Sequence, residues 1–357
     1  MPVATGALAA HAPAAAHGLW EHWPLSPWRW LIAKKLGELL DRAHQLLLEA
    51  AFVVPHTDAD GLAAGAIALR ARGEGAEQAI LLGRGQTPFG DAPPIPRGVA
   101  AVLDWGVRTV NRPALLVDHH APEVTPGKDQ LLVSGYGEEF VSTAVLMKRI
   151  VPDAPPPAWL VAVGAAGDYG DDGLKRPECA GAPKTAVRKL VPLINAPRRL
   201  KDGPVRVALQ LLVEHDDPKA FLRDPRIEQL AAAKAQWRAA FDAAVRTAPI
   251  VNDTFALLYF SSDCQVHPLV ATAWARRLSP RIVIAANANY IPGMINFAVR
   301  GGSGNADLRR VLREALPEAR GEFAMGHDRA TGGSLPPAQF HQLIEAVGLK
   351  LSGKLST

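Results

Sequence analysis

The sequence predicts an α/β protein, with a parallel-sheet N-terminal domain joined by a helical connector to a smaller α/β C-terminal domain. Three observations predict it. Short, near-continuous apolar runs alternate with helical patterns between residues 51 and 150, as in a parallel sheet covered on both faces. An Ala-rich stretch over 226–246 keeps helical register, with Trp237 and Phe241 four apart, and suits a connector. Strand-like and helix-like runs then resume from residue 255. The length of 357 residues fits two domains at roughly 100–200 residues each. The expected divisions are a tail over 1–30, a catalytic domain over 31–185, a largely helical connector over 186–248 and a substrate-binding domain over 249–357.

The elements follow in order. Residues 31–50 (LIAKKLGELLDRAHQLLLEA) combine good helix formers with apolar positions at helical spacing. AFVVP at 51–55 is a β-rich apolar run that ends in the polar cluster HTDADG, and 62–73 returns to a helical pattern. QAILLG (78–83), VAAVLDWG (99–106) and PALLVDHHAP (113–122) read as three further strands. A helix is expected at 142–150, capped by Ser142 or Thr143. The apolar segment 159–172 ends in acid and fits either strand or helix. In the second region FALLYF (255–260), RIVIAANA (281–288) and MINFAVR (294–300) read as strands. Helices are expected around 268–278, 305–316 and 337–351, and no internal repeat is visible.

Hydrophobic residues make up 48% of the chain and charged residues 21%, which excludes a disordered chain because that much apolar surface offsets the entropy of ordering. No run of about 18 apolar residues occurs, so no membrane span is expected. Cys179 and Cys264 form neither a metal-spaced cluster nor a disulfide framework, and a reducing cytoplasm is the simplest setting. Residues 1–27 are rich in Ala, His and Pro, with no Lys or Arg before Arg29. A secretory signal would open on basic residues, so this reads as a poorly ordered tail. Trp20, Trp23, Trp28 and Trp30 crowd together there, either to dock on the body or to stack bases. The formal charge of +4 permits a polyanionic partner without demonstrating one. It hides a local concentration: residues 176–206 carry eight basic side chains against Glu178 and Asp202. That segment either lines a cleft or forms a solvated linker face.

Ligands of open parallel sheets bind beyond the carboxyl ends of the strands. Here those ends deliver His56, Asp58 and Asp60, then Asp104, then Asp118, His119 and His120; Asp168 ends the apolar segment that begins at 159. Hard carboxylate oxygens with a few imidazoles suit Mn²⁺ or Mg²⁺, and the histidines tilt the choice toward Mn²⁺. Two such ions about 3.5–4 Å apart can clamp a phosphate, generate hydroxide and stabilise the leaving oxygen, and they need roughly six ligands. His56, Asp58, Asp60, Asp104, His119 and Asp168 supply that number. A single Asp at a strand end is ordinarily a helix cap or turn former, but burying the whole set without cations would be very costly. Other polar residues read as bland. His215 and His341 are expected at the surface, His267 before Pro268 as a helix-start feature, and Asp171 and Asp172 as solvated loop acids. Arg84, in GRGQ, is either a phosphate contact or exposed.

His56-Thr57-Asp58-Ala59-Asp60-Gly61, Asp104, Asp118-His119-His120 and Gly167-Asp168 resemble, in order and spacing, the four motifs of the DHH phosphoesterase superfamily. Farther on, Asn296-Phe297-Ala298-Val299-Arg300 and Met325-Gly326-His327-Asp328-Arg329-Ala330-Thr331-Gly332 resemble two marks of the DHH-associated domain. These are an Arg after a strand and a Gly-Gly-His-x-x-Ala-x-Gly loop, here with Met325 in place of the first glycine. The resemblance covers about residues 35–350 and is nearest in character to RecJ-like exonucleases and nanoRNA-degrading oligoribonucleases.

The resemblance implies a DHH catalytic domain with the following roles. His56, Asp58 and Asp104 would hold one Mn²⁺; Asp60, Asp104, His119 and Asp168 would hold the other, with Asp104 bridging. His120 would contact the scissile phosphate, and Asp118 would orient the histidine pair. Arg300 and His327 would grip phosphate from the second domain, with Gly326 allowing close backbone approach; Gly301, Gly302 and Gly304 either do the same or form a plain turn. The implied activity is hydrolysis of single-stranded DNA, RNA or short oligonucleotides from the 5′ end, by in-line attack of an activated water. Two alternatives use the same residues. One is hydrolysis of a small nucleotide, such as a cyclic dinucleotide or 3′-phosphoadenosine 5′-phosphate. The other is a non-catalytic nucleic-acid-binding module, against which the complete ligand set argues. The extra oligonucleotide-binding barrel of full-length RecJ is not expected in these 357 residues, an expectation that favours short substrates.

Overall fold

Four short apolar runs form a parallel sheet in sequence order: β1 (Phe52–Pro55), β2 (Ala100–Leu103), β3 (Ala114–Asp118) and β4 (Gln130–Ser134). The computed structural model describes residues 27–90, 93–151, 156–301, 307–321, 323–327 and 329–350, with the side chains of 27–34 and 325–327 excepted. Every residue of β2 and β3 is buried, which is why these runs lack polar alternation. One sheet face carries Val53, Leu103, Leu115 and Val117. It packs on helices α1 (Pro27–Glu49), α2 (Ala59–Arg72), α3 (Thr143–Ile150) and α4 (Ala158–Tyr169). The other face carries Val54, Val102 and Leu116 against Leu82, Phe89, Ile95 and Val110. The sheet is therefore covered twice as expected, but the second cover is made of loops. Only the β1–β2 connection holds an α-helix; residues 104–113 and 119–129 cross between strands without one.

Two local readings change and one open reading resolves. Residues 78–83 are not a strand: Ala79 makes a single bridge to Val53, Ile80 N donates to Val53 O at 2.9 Å, and Leu82 is drawn into the loop cover. The ambiguous 159–172 segment is helix α4, apolar around its whole first part because α2 and α3 enclose it. Strand β4, not read from the sequence, is an edge strand with three partly exposed residues.

The connector contains α5 (Lys184–Ile194), α6 (Val205–Glu214), α7 (Pro218–Arg223) and α8 (Ile227–Ala244). α5 and α6 put Val187, Leu190, Ile194, Leu209 and Leu212 into the first core. α8 begins there with Leu230 and ends in the second body, where Trp237, Phe241 and Ala244 pack.

The C-terminal sheet holds β5 (Ile250–Val251), β6 (Phe255–Phe260), β7 (Ile282–Ile291), β8 (Met294–Arg300), β9 (Phe323–His327) and β10 (Ala330–Leu335), in the order β5-β6-β7-β8-β10-β9. Only β6 and β7 run parallel. α8 and α9 (His267–Arg277) cover one face, α10 (Leu308–Ala315) and α11 (Pro337–Ala346) the other. α10 starts later than expected, where Asp307 accepts from Arg309 N and Arg310 N as its cap. Among the described residues no helix is long and apolar enough to cross a membrane. Trp20, Trp23, Gly302, Gly304 and the side chains of Trp28 and Trp30 lie outside those described.

Candidate metal centre and adjoining cleft

The carboxyl ends of β1, β2 and β3 bring the predicted acids and imidazoles together, and local folding sets each one. Asp58 caps α2, accepting from Gly61 N at 3.0 Å. Asp60 is fully buried and accepts from Thr143 N at 2.6 Å and Ala144 N at 2.9 Å, at the start of α3. Asp60 thus caps α3 from another helix, while the Ser142 side chain makes no cap bond. Thr143 instead donates its hydroxyl to Asp104 Oδ1 at 2.9 Å. Asp104 follows β2 with φ of +69°, a left-handed conformation that side-chain-bearing residues seldom adopt. The capping role ordinary for a strand-end Asp and membership of the cluster therefore coincide in Asp58 and Asp60.

Among the described residues three candidate ligand groups share Asp104: Asp104 with His119 and His120, and the two that the resemblance implies. The ligand atoms of His56, Asp58 and Asp104 lie within 4.8 Å of one another, as do those of Asp60, Asp104, His119 and Asp168; Asp104 belongs to both. His56 Nδ1 stands 2.9 Å from Asp58 Oδ2 and 3.8 Å from Asp104 Oδ2. His119 Nε2 stands 3.3 Å from Asp104 Oδ1 and 3.2 Å from Asp168 Oδ2. Burial first, and then the Asp168 charge, push Asp60 up to about 8. Burial, and then Asp60 and Asp58, push Asp104 well above the usual carboxylate range. Burial opposes ionisation of Asp58 too, but His56 and Arg198 hold it well below that range. For His119, burial disfavours the charged ring, yet Asp104 and Asp168 outweigh it and push the ring up to about 12. His119 Nε2 is nonetheless buried without a hydrogen-bond partner. Crowded acids that resist ionisation and an unpartnered imidazole nitrogen share one pocket, and a divalent cation satisfies all of them together. These residues fit the metal that the resemblance implies.

The histidine pair is held differently from expectation. Asp118 Oδ1 accepts from His120 N at 2.7 Å and His120 Nδ1 at 2.9 Å, and Oδ2 accepts from Gly106 N at 2.6 Å. Burial opposes, but the His120 contacts and the Gly106 N–H hold Asp118 below its ordinary value. Among the described contacts, Asp118 orients His120 and not both rings. His119 Nδ1 is met by the Tyr169 hydroxyl at 2.8 Å. Tyr169 and Thr143 join the cluster without a motif to mark them; the one sequence signal is the place of Tyr169 beside Asp168.

A cleft of about 740 Å³ opens from this cluster to the second sheet. His56, Thr57 and Trp105 form its inner end, and Arg300, His267, Tyr290, Gly332 and Gly333 its far wall. Arg84, Arg108, Arg198, Lys201, Arg206 and Arg300 line it, with no Asp or Glu among the described lining residues. The basic middle segment therefore divides: Arg198, Lys201 and Arg206 face the cleft, whereas Arg188 pairs with Asp171 at 2.8 Å on the surface. Arg198 Nη1 lies 3.7 Å from Asp58 Oδ2. Five buried nitrogens without a hydrogen-bond partner sit on lining residues: Arg84 Nε, Trp105 Nε1, Arg108 Nε, Arg198 Nε and His267 Nδ1.

Other expectations resolve residue by residue. His267 does start α9, but it also lines the cleft, and burial, then Arg300 and Arg199, push it down to about 3. Arg84 is neither a plain surface residue nor free for phosphate: it donates to the Tyr290 and Asp263 carbonyls, 4.1 Å over the Tyr290 ring. His215 is half-buried and bonded to Asp224 at 3.0 Å rather than solvated. Asp172 pairs with Lys175 at 2.6 Å as a surface acid. Arg300 donates to Val299 O and Thr331 O and lines the cleft. Strand register sets His327 opposite Ala330, and Ala330 opposite Arg300. The side chains of Gly326 and His327 lie outside those described.

Solved structures share this architecture. A manganese-bound exonuclease RecJ matches over 86% of this chain and 93% of its own, with a TM-score of 0.55 at 20% identity. The chain has a RecJ-type DHH fold. RecJ of Thermus thermophilus in complex with Mn²⁺ matches 88% of the chain at a TM-score of 0.60 and 20% identity, and this chain spans 55% of its length. A pGpG-specific phosphodiesterase, PggH of Vibrio cholerae, matches 83% of this chain and 96% of its own at a TM-score of 0.50 and 14% identity. No family model and no curated protein sequence matches. In this RecJ-type fold the acids and imidazoles lie on the parallel-sheet side, and Arg300 with the β9–β10 hairpin lies on the other.

Proposed function

We propose that the chain is a divalent-metal phosphodiesterase that hydrolyses single-stranded nucleic acid or short oligonucleotides from the 5′ end, with Mn²⁺ as its preferred ion. One observation carries this reading: two ligand groups that share Asp104 open on a cleft whose described lining holds six cations and no carboxylate. His56, Asp58 and Asp104 would hold one ion, and Asp60, Asp104, His119 and Asp168 the other. Bound divalent cations supply Lewis-acid activation of water and neutralise charge on the phosphodiester. The chain's own residues do the rest. Asp118 fixes His120, whose side chain is 41% exposed and so available to a phosphate oxygen. Arg198, Lys201 and Arg300 balance the substrate's charge, and the partly exposed Trp105 ring offers a face for a base. Gly326 and His327 would join Arg300 in gripping phosphate.

A second reading, cleavage of a dinucleotide, is supported by Arg84, which ties across the cleft to Tyr290 and Asp263 and bounds its length. The pGpG-specific neighbour of similar fold points the same way. A binding module without catalysis would have no use for a complete ligand set.

The test is a substrate panel with Mn²⁺ or Mg²⁺: 5′-labelled DNA and RNA of several lengths, linear and cyclic dinucleotides, and 3′-phosphoadenosine 5′-phosphate. Hydrolysis is expected, faster with Mn²⁺, with labelled mononucleotide released first. Asp104→Ala is expected to abolish both ion binding and turnover. An Asp104→Ala protein as active as wild type overturns the site, and tight substrate binding without hydrolysis of any compound overturns the enzyme.

A further inference from the structure

We propose that Tyr169 is the positioning residue that makes His119 a metal ligand through Nε2, an inference that rests on the metal-site reading above. The Tyr169 hydroxyl lies 2.8 Å from His119 Nδ1 and 3.2 Å from the Val141 carbonyl oxygen, to which it donates. A carbonyl oxygen only accepts, so the single phenol proton is committed to Val141. The contact with His119 is then made with Nδ1 as the donor. Once a cation takes the place of the Nε2 proton, a proton kept on Nδ1 leaves the ring's lone pair on Nε2. Nε2 is the buried nitrogen without a hydrogen-bond partner, and it faces Asp104 and Asp168 at 3.3 and 3.2 Å and Asp60 at 3.9 Å. The sequence of contacts Val141–Tyr169–His119 therefore aims one lone pair at the three carboxylates.

The rings are held as well as the protons. Tyr169 stands edge-on to His119 with centroids 5.8 Å apart, and Phe140 stands edge-on to Tyr169 at 5.7 Å. Metal-ligating histidines ordinarily give their second N–H to a carboxylate, a carbonyl or water. The nearby carboxylate, Asp118, is bound to His120 instead. A neutral phenol in that place adds no negative charge to a pocket that already buries Asp60 and Asp104. Tyr169 is also the last residue of α4, next to Asp168, so one helix end delivers a ligand and the partner that orients another.

The experiment uses the full chain stripped of metal. Tyr169→Phe keeps the ring and removes the hydroxyl. It is expected to weaken Mn²⁺ binding by about tenfold in calorimetric titration, while the melting temperature of the metal-free protein stays close to wild type. A second measurement needs no variant: long-range ¹H–¹⁵N spectra of the Mg²⁺-loaded wild type are expected to place the His119 proton on Nδ1. A proton on Nε2, or unchanged Mn²⁺ affinity in Tyr169→Phe, overturns the proposal. If Asp104→Ala loses ion binding while Tyr169→Phe does not, this proposal fails and the metal site stands. If wild type binds no Mn²⁺, both fail.

Discussion

Asp104 holds a backbone conformation that costs on the order of 1–3 kcal/mol for a residue with a side chain. The Thr143 hydroxyl on its carboxylate and its own N–H on Val117 O at 3.0 Å keep it there. It also sits among acids that resist one another's ionisation. Asp104→Asn tolerates the same conformation and removes a charge. The metal-free variant should melt at or above the wild-type temperature while losing tight Mn²⁺ binding; a clear drop in melting temperature would contradict this. His267 makes a second residue-scale case. Its folded value is depressed from 6.5 to about 3, chiefly by burial. Below pH 6.5 the unfolded chain takes up a proton that the folded chain refuses, so stability falls as pH drops from 6.5 toward 3. His267→Gln should flatten that slope. Denaturant unfolding at pH 7 and pH 5 should show wild type losing roughly 1–2 kcal/mol more than the variant.

At the scale of elements, the cluster depends on how closely α2, α3 and α4 approach. Gly164 of α4 faces Asp60: a Cβ there would come within 2.3 Å of Asp60 Oδ1 and 2.4 Å of Ala144 Cβ. Gly164→Ala should destabilise the protein by about 1–3 kcal/mol and weaken Mn²⁺ binding, because Asp60 must move; denaturant titration and calorimetry read the two effects. The same scale explains what the sequence makes legible. β1, β2 and β3 are readable because each is an unbroken apolar run that stops at polar residues, and the candidate ligands cluster at those stops. β10 is not, because Gly332 must lack a Cβ that would meet Phe297 O at 2.3 Å, and a glycine-rich strand looks like a loop. Residues 78–83 have strand composition but only one bridge to β1. Helices α5 to α7 are masked by Pro183, Pro192, Pro197, Pro204 and Pro218. Thr143 and Tyr169 escape for another reason: their partners lie far along the chain, and spacing carries no record of where α3 and α4 land.

Across the whole molecule, the formal charge of +4 says little about the cleft, where six cations gather with no carboxylate among the described lining residues. The two bodies are tied at its edge by Arg84 on the Tyr290 and Asp263 carbonyls. The connector adds a second tie, in which Gln265 N donates to Arg199 O at 2.8 Å and Arg199 returns a bond to Gln265 O at 3.3 Å. Substrate length then decides how many of the cations act. For single strands, affinity falls with salt by about 0.7 logarithmic units per decade for each phosphate engaged. A dinucleotide presents one or two phosphates, and so predicts a shallow slope in KM between roughly 50 and 200 mM salt, near one unit per decade. A strand that runs the length of the cleft predicts a slope of roughly two to three. Lys201 is exposed and lines the cleft, so Lys201→Ala tests the point directly. On a strand the variant should lose about 0.7 of the slope while kcat stays near wild type. A slope that Lys201→Ala leaves unchanged would remove Lys201 from the substrate path.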